Sequence, residues 1–172
     1  MRIYIVGYMG SGKSTFGYNL AVAIGLQWVD LDSEFELRYR ISIADFFTKY
    51  GESTFRKLEH NLLNEITLKT DIVVSTGGGT PCYNNNMQLM NQTGITLYLK
   101  TRPELLISRI ENSPRKRPVF RKLKGEKLLE NISKHLQERE LYYNQATFVI
   151  DAANPDIPEI KSLISDYFKS LS

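Results

Sequence analysis

Eight residues near the N-terminus restrict the fold of this chain more than any other feature of its sequence. The segment Gly7-Tyr8-Met9-Gly10-Ser11-Gly12-Lys13-Ser14 fits the pattern G-x-x-x-x-G-K-[ST] at every fixed position. An apolar run, residues 3–6, precedes it and predicts a buried strand, and an amphipathic pattern after it predicts a helix. In such a unit, backbone N–H groups of the loop and of the helix N-terminus bind phosphate oxygens. The segment therefore predicts a phosphate-binding loop.

Four more short apolar runs follow, with helical patterns between them. They cover residues 28–29, 72–74, 95–99 and 147–150. Strands separated by helices pair in parallel through right-handed crossovers, and strands that are apolar on both sides lie in a sheet covered on both faces. We therefore expect residues 1–172 to form a single three-layer α/β domain, whose ligands bind beyond the carboxyl ends of the strands.

Composition excludes several other classes of protein. The single cysteine, Cys82, excludes an internal disulfide framework and a cysteine-based zinc site. No run reaches the ~20 apolar residues that span a bilayer, and no secretory signal sequence is visible. The net charge of +3 is too small to indicate a nucleic-acid partner. We expect a cytoplasmic protein with no membrane or nucleic-acid partner.

The loop predicts a nucleoside triphosphate with Mg²⁺ as its ligand but leaves the acceptor open. Lys13 can reach the outer phosphates, and the Ser14 hydroxyl can bind Mg²⁺. GTPases carry N-K-x-D and D-x-x-G motifs, and neither occurs in this sequence. Small-molecule kinases and nucleotide sensors without catalytic activity remain.

Two acids, Asp30 and Asp32, stand at the end of the second predicted strand. Strand alternation would point both carboxylates to the same side. One could order Mg²⁺ through water, while the other grips an acceptor hydroxyl and takes its proton. The alternative is that Asp32 interacts only with the N-terminus of a helix that starts at Ser33.

Further candidates for the acceptor side lie later in the chain. Arg56 falls outside the apolar stripe of its predicted helix, so it either binds a ligand or is solvated. Gly77, Gly78 and Gly79 follow the third strand, where they either let a ligand touch the backbone or form a flexible turn. Arg139, late in another helix, either faces the cleft or pairs on the surface.

A basic segment at about residues 112–124 contains Arg117. Nucleic-acid binding is one interpretation of such a cluster. In a kinase with a phosphate-binding loop, a lid is the better interpretation, because its arginine neutralises charge during transfer and its closure excludes water.

Together these segments resemble the shikimate kinase family from residue 3 to about residue 155. The matching motifs are G-x-x-G-S-G-K-S-T, D-x-D, F-R-x-x-E, G-G-G, R-P and E-R-x-x-Y, in that order. The resemblance implies a nucleoside-monophosphate-kinase type of fold with a five-stranded parallel sheet in the order 2-3-1-4-5. It also implies ATP-dependent phosphorylation of the 3-hydroxyl of shikimate, a step toward chorismate and the aromatic amino acids.

The resemblance also implies roles for individual residues. The nucleotide site would contain Gly10, Ser11, Gly12, Lys13, Ser14, Thr15, Arg109 and Arg117. Mg²⁺ would be held by Ser14 and, through water, by Asp30. The substrate site, within a segment at about 32–60 and beyond it, would contain Asp32, Arg56, Gly77, Gly78, Gly79 and Arg139. Lys13, Asp32 and Arg117 would be catalytic.

Two other functions compete with this one. A related kinase such as a gluconate kinase would share the loop, but it is not expected to carry both arginines of F-R-x-x-E and E-R-x-x-Y. A non-catalytic ATP-binding regulator would have lost an acceptor-side residue, yet Asp32, Arg56 and Arg139 are all present. We expect a monomeric enzyme.

Overall fold

The computed structural model of the chain describes residues 1–111 and 126–170, and its core is a five-stranded parallel sheet. The strands are β1 (Arg2–Val6), β2 (Gln27–Asp30), β3 (Ile72–Ser75), β4 (Ile95–Lys100) and β5 (Phe148–Asp151). Their order is β2-β3-β1-β4-β5, with every neighbouring pair parallel. The predicted sheet and its strand order are thus confirmed.

Seven α-helices are described around this sheet. They are α1 (Lys13–Ile24), α2 (Leu31–Tyr39), α3 (Ile43–Ile66), α4 (Asn86–Thr93), α5 (Pro103–Glu111), α6 (Glu126–Tyr143) and α7 (Ile157–Ser170). A short 3-10 turn, Thr80–Cys82, lies between β3 and α4. Among these described helices, none is long and apolar enough to cross a membrane.

The two faces of the sheet bury separate hydrophobic cores, which makes the predicted three layers. Side chains alternate along β1, so Ile3 and Ile5 belong to one core while Tyr4 and Val6 belong to the other. Helices α1 and α7 cover the first core, and α2 to α6 cover the second. All the phosphate-binding and acceptor-side candidates in the described residues lie near the carboxyl ends of the strands or on the helices that follow them.

The start of α2 differs from the sequence-based expectation. Helix α2 begins at Leu31, because the Asp30 side chain accepts a hydrogen bond from Ser33 N; the helix does not start at Ser33. Ser42 caps α3 by accepting a hydrogen bond from Asp45 N, and Gly51 (φ 78°, ψ 163°) kinks that helix.

Candidate active site

The phosphate loop, residues 7–14, joins β1 to α1 and needs glycine at fixed positions. Gly10 and Gly12 have φ of 82° and 98°, in the left-handed region that side chains with a Cβ rarely adopt. Gly12 is the N-cap of α1, so the first N–H groups of that helix stand at the end of the loop. Thr15, in the first turn of α1, is exposed. This is the geometry that a phosphate group requires.

Lys13 lies inside the loop and is almost fully buried, with 8% of its surface exposed. Its ammonium donates a hydrogen bond to the backbone oxygen of Tyr8 across 2.8 Å. Its own carbonyl accepts from Ser75 Oγ at the end of β3. The lysine is therefore held between the loop and the neighbouring strand.

Ser14 and Asp30 form the pair that could hold Mg²⁺. Ser14 Oγ donates a hydrogen bond to Asp30 Oδ2 across 2.5 Å, which joins the start of α1 to the end of β2. A hydroxyl and a carboxylate are the hard oxygen ligands that Mg²⁺ accepts. The donor set beside the phosphate loop therefore fits a magnesium ion that arrives with a nucleotide.

The sequence-based expectation for Asp32 assumed that the strand continues to this residue. In the structure Asp32 lies outside β2. It is in the first turn of α2, and Asp30 rather than Asp32 caps that helix. Burial raises the pKa of Asp32 to about 6, with further contributions from Asp30 and Glu59, while Lys13 and Arg56 oppose the shift. A carboxyl whose pKa is that close to neutrality is suited to orient a hydroxyl and accept its proton.

Arg56 is mostly buried on α3, with only 11% of its side chain exposed, so the solvated alternative for this residue is wrong. Its Nη1 donates to Glu59 Oε2 across 2.7 Å, and Nε and Nη2 both donate to Glu52 Oε1 at 3.1 Å and 3.0 Å. The ring of Tyr83 lies 4.3 Å from the guanidinium. Burial alone would lower the pKa of Arg56, but Glu59 and Glu52 outweigh that effect and raise it.

Glu59 is a buried site residue that the sequence analysis left without a role. Only 1% of its surface is exposed, and its second oxygen accepts a hydrogen bond from Thr80 Oγ1 across 2.6 Å. The backbone oxygen of Thr80 in turn accepts from Asn86 Nδ2. This chain of bonds fixes Arg56 to the segment after β3. The sequence signal for the contact between Glu59 and Arg56 was the glutamate of F-R-x-x-E, because residues three apart on a helix are neighbours.

The glycine loop, residues 77–79, is tightly enclosed by neighbouring atoms. A Cβ atom on Gly78 would lie 3.0 Å from Met9 N and 3.4 Å from Arg139 Nη1. A Cβ atom on Gly79 would collide with the guanidinium of Arg56. The triplet thus threads between the phosphate loop and the two acceptor-side arginines.

Helix α6 brings Arg139 to the cleft. The Arg139 guanidinium lies 5.4 Å from the ring of Tyr8, whose hydroxyl is 2.9 Å from Nδ1 of His135. The tyrosine of the E-R-x-x-Y motif, Tyr142, is 39% exposed, whereas the next residue, Tyr143, is fully buried and donates a hydrogen bond to Gly78 O. Helical spacing predicts that Tyr143, four residues after Arg139, shares the helix face of Arg139.

Arg109 on α5 spans the other side of the phosphate loop. Its Nη1 donates to Ser11 O across 2.7 Å, and its Nη2 donates to Ala152 O, after β5, across 3.2 Å. It is therefore placed beside the loop, on the side away from Arg56. Arg117 and the predicted lid, about 112–124, lie outside the described residues.

Two buried side-chain polar atoms lack a hydrogen-bond partner within the described ranges, and both are in this cleft. They are Ser11 Oγ in the phosphate loop and Arg139 Nη1 on the acceptor side. Buried polar groups are rarely left unpaired, so each such atom calls for an explanation such as a ligand. The cleft can thus place a nucleotide phosphate and an anionic acceptor side by side.

Known proteins resemble this chain along nearly its whole length. The sequence model described as "Shikimate kinase" matches residues 9–169. A shikimate kinase from Parabacteroides distasonis is 42% identical over 151 residues, which are 88% of this chain and 87% of that protein. A crystal structure of shikimate kinase from Bacteroides thetaiotaomicron has a TM-score of 0.86 and 35% identity, covering 99% of this chain and 98% of that one. Shikimate kinase from Acinetobacter baumannii in complex with shikimate has a TM-score of 0.84 and 31% identity, covering 99% and 94%.

Proposed function

The chain belongs to the shikimate kinase family, and on this basis we propose how its residues divide the phosphorylation of shikimate by ATP. The protein is an enzyme, a kinase that transfers a phosphate from ATP to shikimate. We propose that the acceptor is the 3-hydroxyl and that the product leads toward chorismate. We assign the nucleotide to the phosphate loop and the substrate to the cleft between Asp32, Arg56 and Arg139.

On the nucleotide side, the loop N–H groups and Lys13 hold the phosphates of ATP. Gly10 to Thr15 wrap the phosphate chain, and Arg109 borders the nucleotide. Ser14 would hold Mg²⁺, with Asp30 assisting through water, and the ion would neutralise charge on the phosphates. The 2.5 Å contact between these two side chains supports their shared role. Arg117 stays a prediction from sequence as the lid arginine.

On the acceptor side, Arg56 and Arg139 bind the substrate carboxylate, since planar guanidinium groups suit bidentate recognition of a carboxylate. The backbone of the glycine loop contacts the substrate, because it lies against both arginines. Asp32 orients the acceptor hydroxyl in line and takes its proton as the phosphoryl group moves. Its raised pKa supports that role.

One observation carries this assignment. The unpartnered atom Ser11 Oγ belongs to the phosphate loop, and the unpartnered atom Arg139 Nη1 lies against Gly78 in the glycine loop. A non-catalytic ATP sensor needs no unpartnered, buried hydrogen-bond donor on the acceptor side.

A coupled assay of ADP release tests the proposal with three reaction mixtures, which contain shikimate, gluconate or no acceptor. We expect ADP release only with shikimate, and we expect Lys13→Ala to abolish it because the cation beside the transferring phosphate is lost. Equal rates with gluconate would favour the related kinase. Release that is independent of an acceptor would indicate an ATPase.

We further propose that residues 1–172 form one kinase domain, with a shikimate-binding segment at about 32–60. Asp32 and Arg56 both belong to this segment, which supports its assignment. We also propose a monomeric, cytoplasmic enzyme without nucleic-acid or membrane partners. Sedimentation velocity at micromolar concentration tests the oligomeric state.

A further inference from the structure

Tyr143 is the last residue of α6, and its side chain reaches into the cleft. Its ring is fully buried and lies 5.1 Å from the ring of Tyr98 on β4. Its hydroxyl donates a hydrogen bond to the backbone oxygen of Gly78 across 2.5 Å, although 65 residues separate the two in sequence. Burial raises the pKa of this hydroxyl, so it stays protonated and remains a donor.

The bond to Gly78 O fixes more than one atom. The C=O of Gly78 and the N–H of Gly79 belong to one planar peptide group, so holding the oxygen also sets the direction of the N–H. Gly78 lies against Arg139, and Gly79 lies against Arg56. The peptide group that Tyr143 holds is therefore the one between the two arginines assigned to the substrate carboxylate.

Helix α6 supports this arrangement with residues spaced four apart. His135, Arg139 and Tyr143 share one face of the helix. His135 contacts the Tyr8 hydroxyl, Arg139 contacts the Tyr8 ring, and Tyr143 contacts Gly78. One helix face thus sets the distance between the phosphate loop and the glycine loop.

We propose that Tyr143 is a positioning residue for the kinase reaction: its hydrogen bond to Gly78 orients the Gly78–Gly79 peptide for shikimate. Tyr143 acts through the backbone and through its neighbour Arg139, and it does not touch the reacting atoms. This inference rests on the proposed role of the glycine loop in substrate binding.

The test compares two tyrosine hydroxyls in the same aromatic pair. Tyr143→Phe removes the hydroxyl bonded to Gly78. Tyr98→Phe is the matched control, because Tyr98 is also a fully buried residue and its hydroxyl donates to Glu140 Oε1 instead. Steady-state kinetics for both substrates and the melting temperature are measured for both variants and the wild type.

We expect Tyr143→Phe to raise the KM for shikimate about three- to ten-fold, the range that corresponds to one hydrogen bond to a neutral group. The KM for ATP should stay within about two-fold of wild type, because the hydrogen bond that is lost goes to the glycine loop and not to the phosphate loop. Tyr98→Phe should leave the KM for shikimate unchanged. A purely structural Tyr143 would lower the melting temperature without this difference between the substrates.

Unchanged constants for Tyr143→Phe would overturn the proposal, and so would an equal rise in both variants, which would indicate general loosening of α6. If Tyr143→Phe is too unstable for kinetics, melting temperatures replace the KM values. The rise in melting temperature on adding shikimate is then compared with the rise on adding ATP. A normal shikimate-induced rise would also overturn it. Absence of shikimate activity in the wild type would instead refute the proposed function itself.

Discussion

Gly77 lies so close to Asp32 that a Cβ atom on Gly77 would stand 2.6 Å from Oδ1 of Asp32. The same atom would be 2.9 Å from Thr80 Oγ1 and 3.2 Å from Glu59 Oε1. The first glycine after β3 therefore leaves room for three polar side chains that surround the acceptor side. Its small size, rather than an unusual backbone angle, is what the site requires.

We expect Gly77→Ala to weaken shikimate binding at least ten-fold and to leave ATP binding nearly unchanged. The new methyl group must displace Asp32 or Thr80, both on the acceptor side. Isothermal titration calorimetry with each ligand measures the two affinities. Gly25→Ala is the control, because it strains a left-handed position (φ 74°) with no atom within 4 Å and costs about 1 kcal/mol of stability. Equal losses for both ligands would contradict a local effect on Asp32.

The raised pKa of Asp32 predicts an acid limb in the activity profile. The kcat/KM for shikimate should fall as the pH drops through about 6, because the protonated carboxyl no longer accepts a proton from the hydroxyl. Asp32→Asn should lose this limb together with about 10²- to 10⁴-fold in rate. A profile without a limb near pH 6 in the wild type would contradict the assignment of Asp32 as the base.

The same shift has a consequence for stability. Folding raises the pKa of Asp32 from 3.8 to about 6, so the folded chain binds this proton more tightly than the unfolded chain. The contribution of Asp32 to stability therefore falls as the pH rises from about 4 to about 6, and the full cost is present above that range. Melting curves should show Asp32→Asn gaining stability relative to wild type across this window and keeping the gain at pH 7.5.

Sequence alone predicted the fold well because its signals are local. The phosphate loop predicts one strand and one helix. Strands that are apolar on both faces predict a parallel sheet that is covered on both sides. The interior of the cleft depends instead on contacts between distant segments. The Tyr143–Gly78 and Glu59–Thr80 bonds join residues 65 and 21 positions apart, and no periodicity indicates such partners.

The sequence-based placement of Asp32 on a strand was wrong for a local reason. The sequence pattern D-L-D fits the end of a strand as well as the start of a helix, and Asp32 lies two residues beyond the end of β2. The Asp30 side chain ends the strand by capping α2, which turns the chain and places Asp32 in a helical turn. The two acids reach the same cleft by different geometry from the one expected.

Glu52 binds the Nε and Nη2 edge of Arg56, and in the proposed site a substrate carboxylate would compete for that edge. Both Nε and Nη2 of Arg56 donate to one oxygen of Glu52, whose side chain is half exposed. We expect Glu52→Gln to tighten shikimate binding a few-fold, because a neutral amide competes less well for the guanidinium than a carboxylate does. Calorimetry without nucleotide measures the change.

The control for this variant is Glu65→Gln, which removes an exposed carboxylate that pairs with Arg38 outside the cleft. It should leave the affinity for shikimate as it is. Weaker binding by Glu52→Gln would show that Glu52 holds Arg56 in place for the substrate rather than competing with it.

Arg139 and Arg109 flank the cleft on its two sides, and we expect their substitutions to affect different ligands. Arg139→Lys keeps the charge but loses the planar fork, so it should weaken shikimate binding and spare ATP. Arg109→Ala removes the bonds to Ser11 O and Ala152 O beside the phosphate loop, so it should weaken ATP binding and spare shikimate. Calorimetry of both ligands with both variants gives four affinities, and Arg38→Ala, which breaks an exposed ion pair, serves as the reference. Losses shared equally by the two ligands in either variant would mean that the arginine supports the fold and does not belong to one side of the cleft.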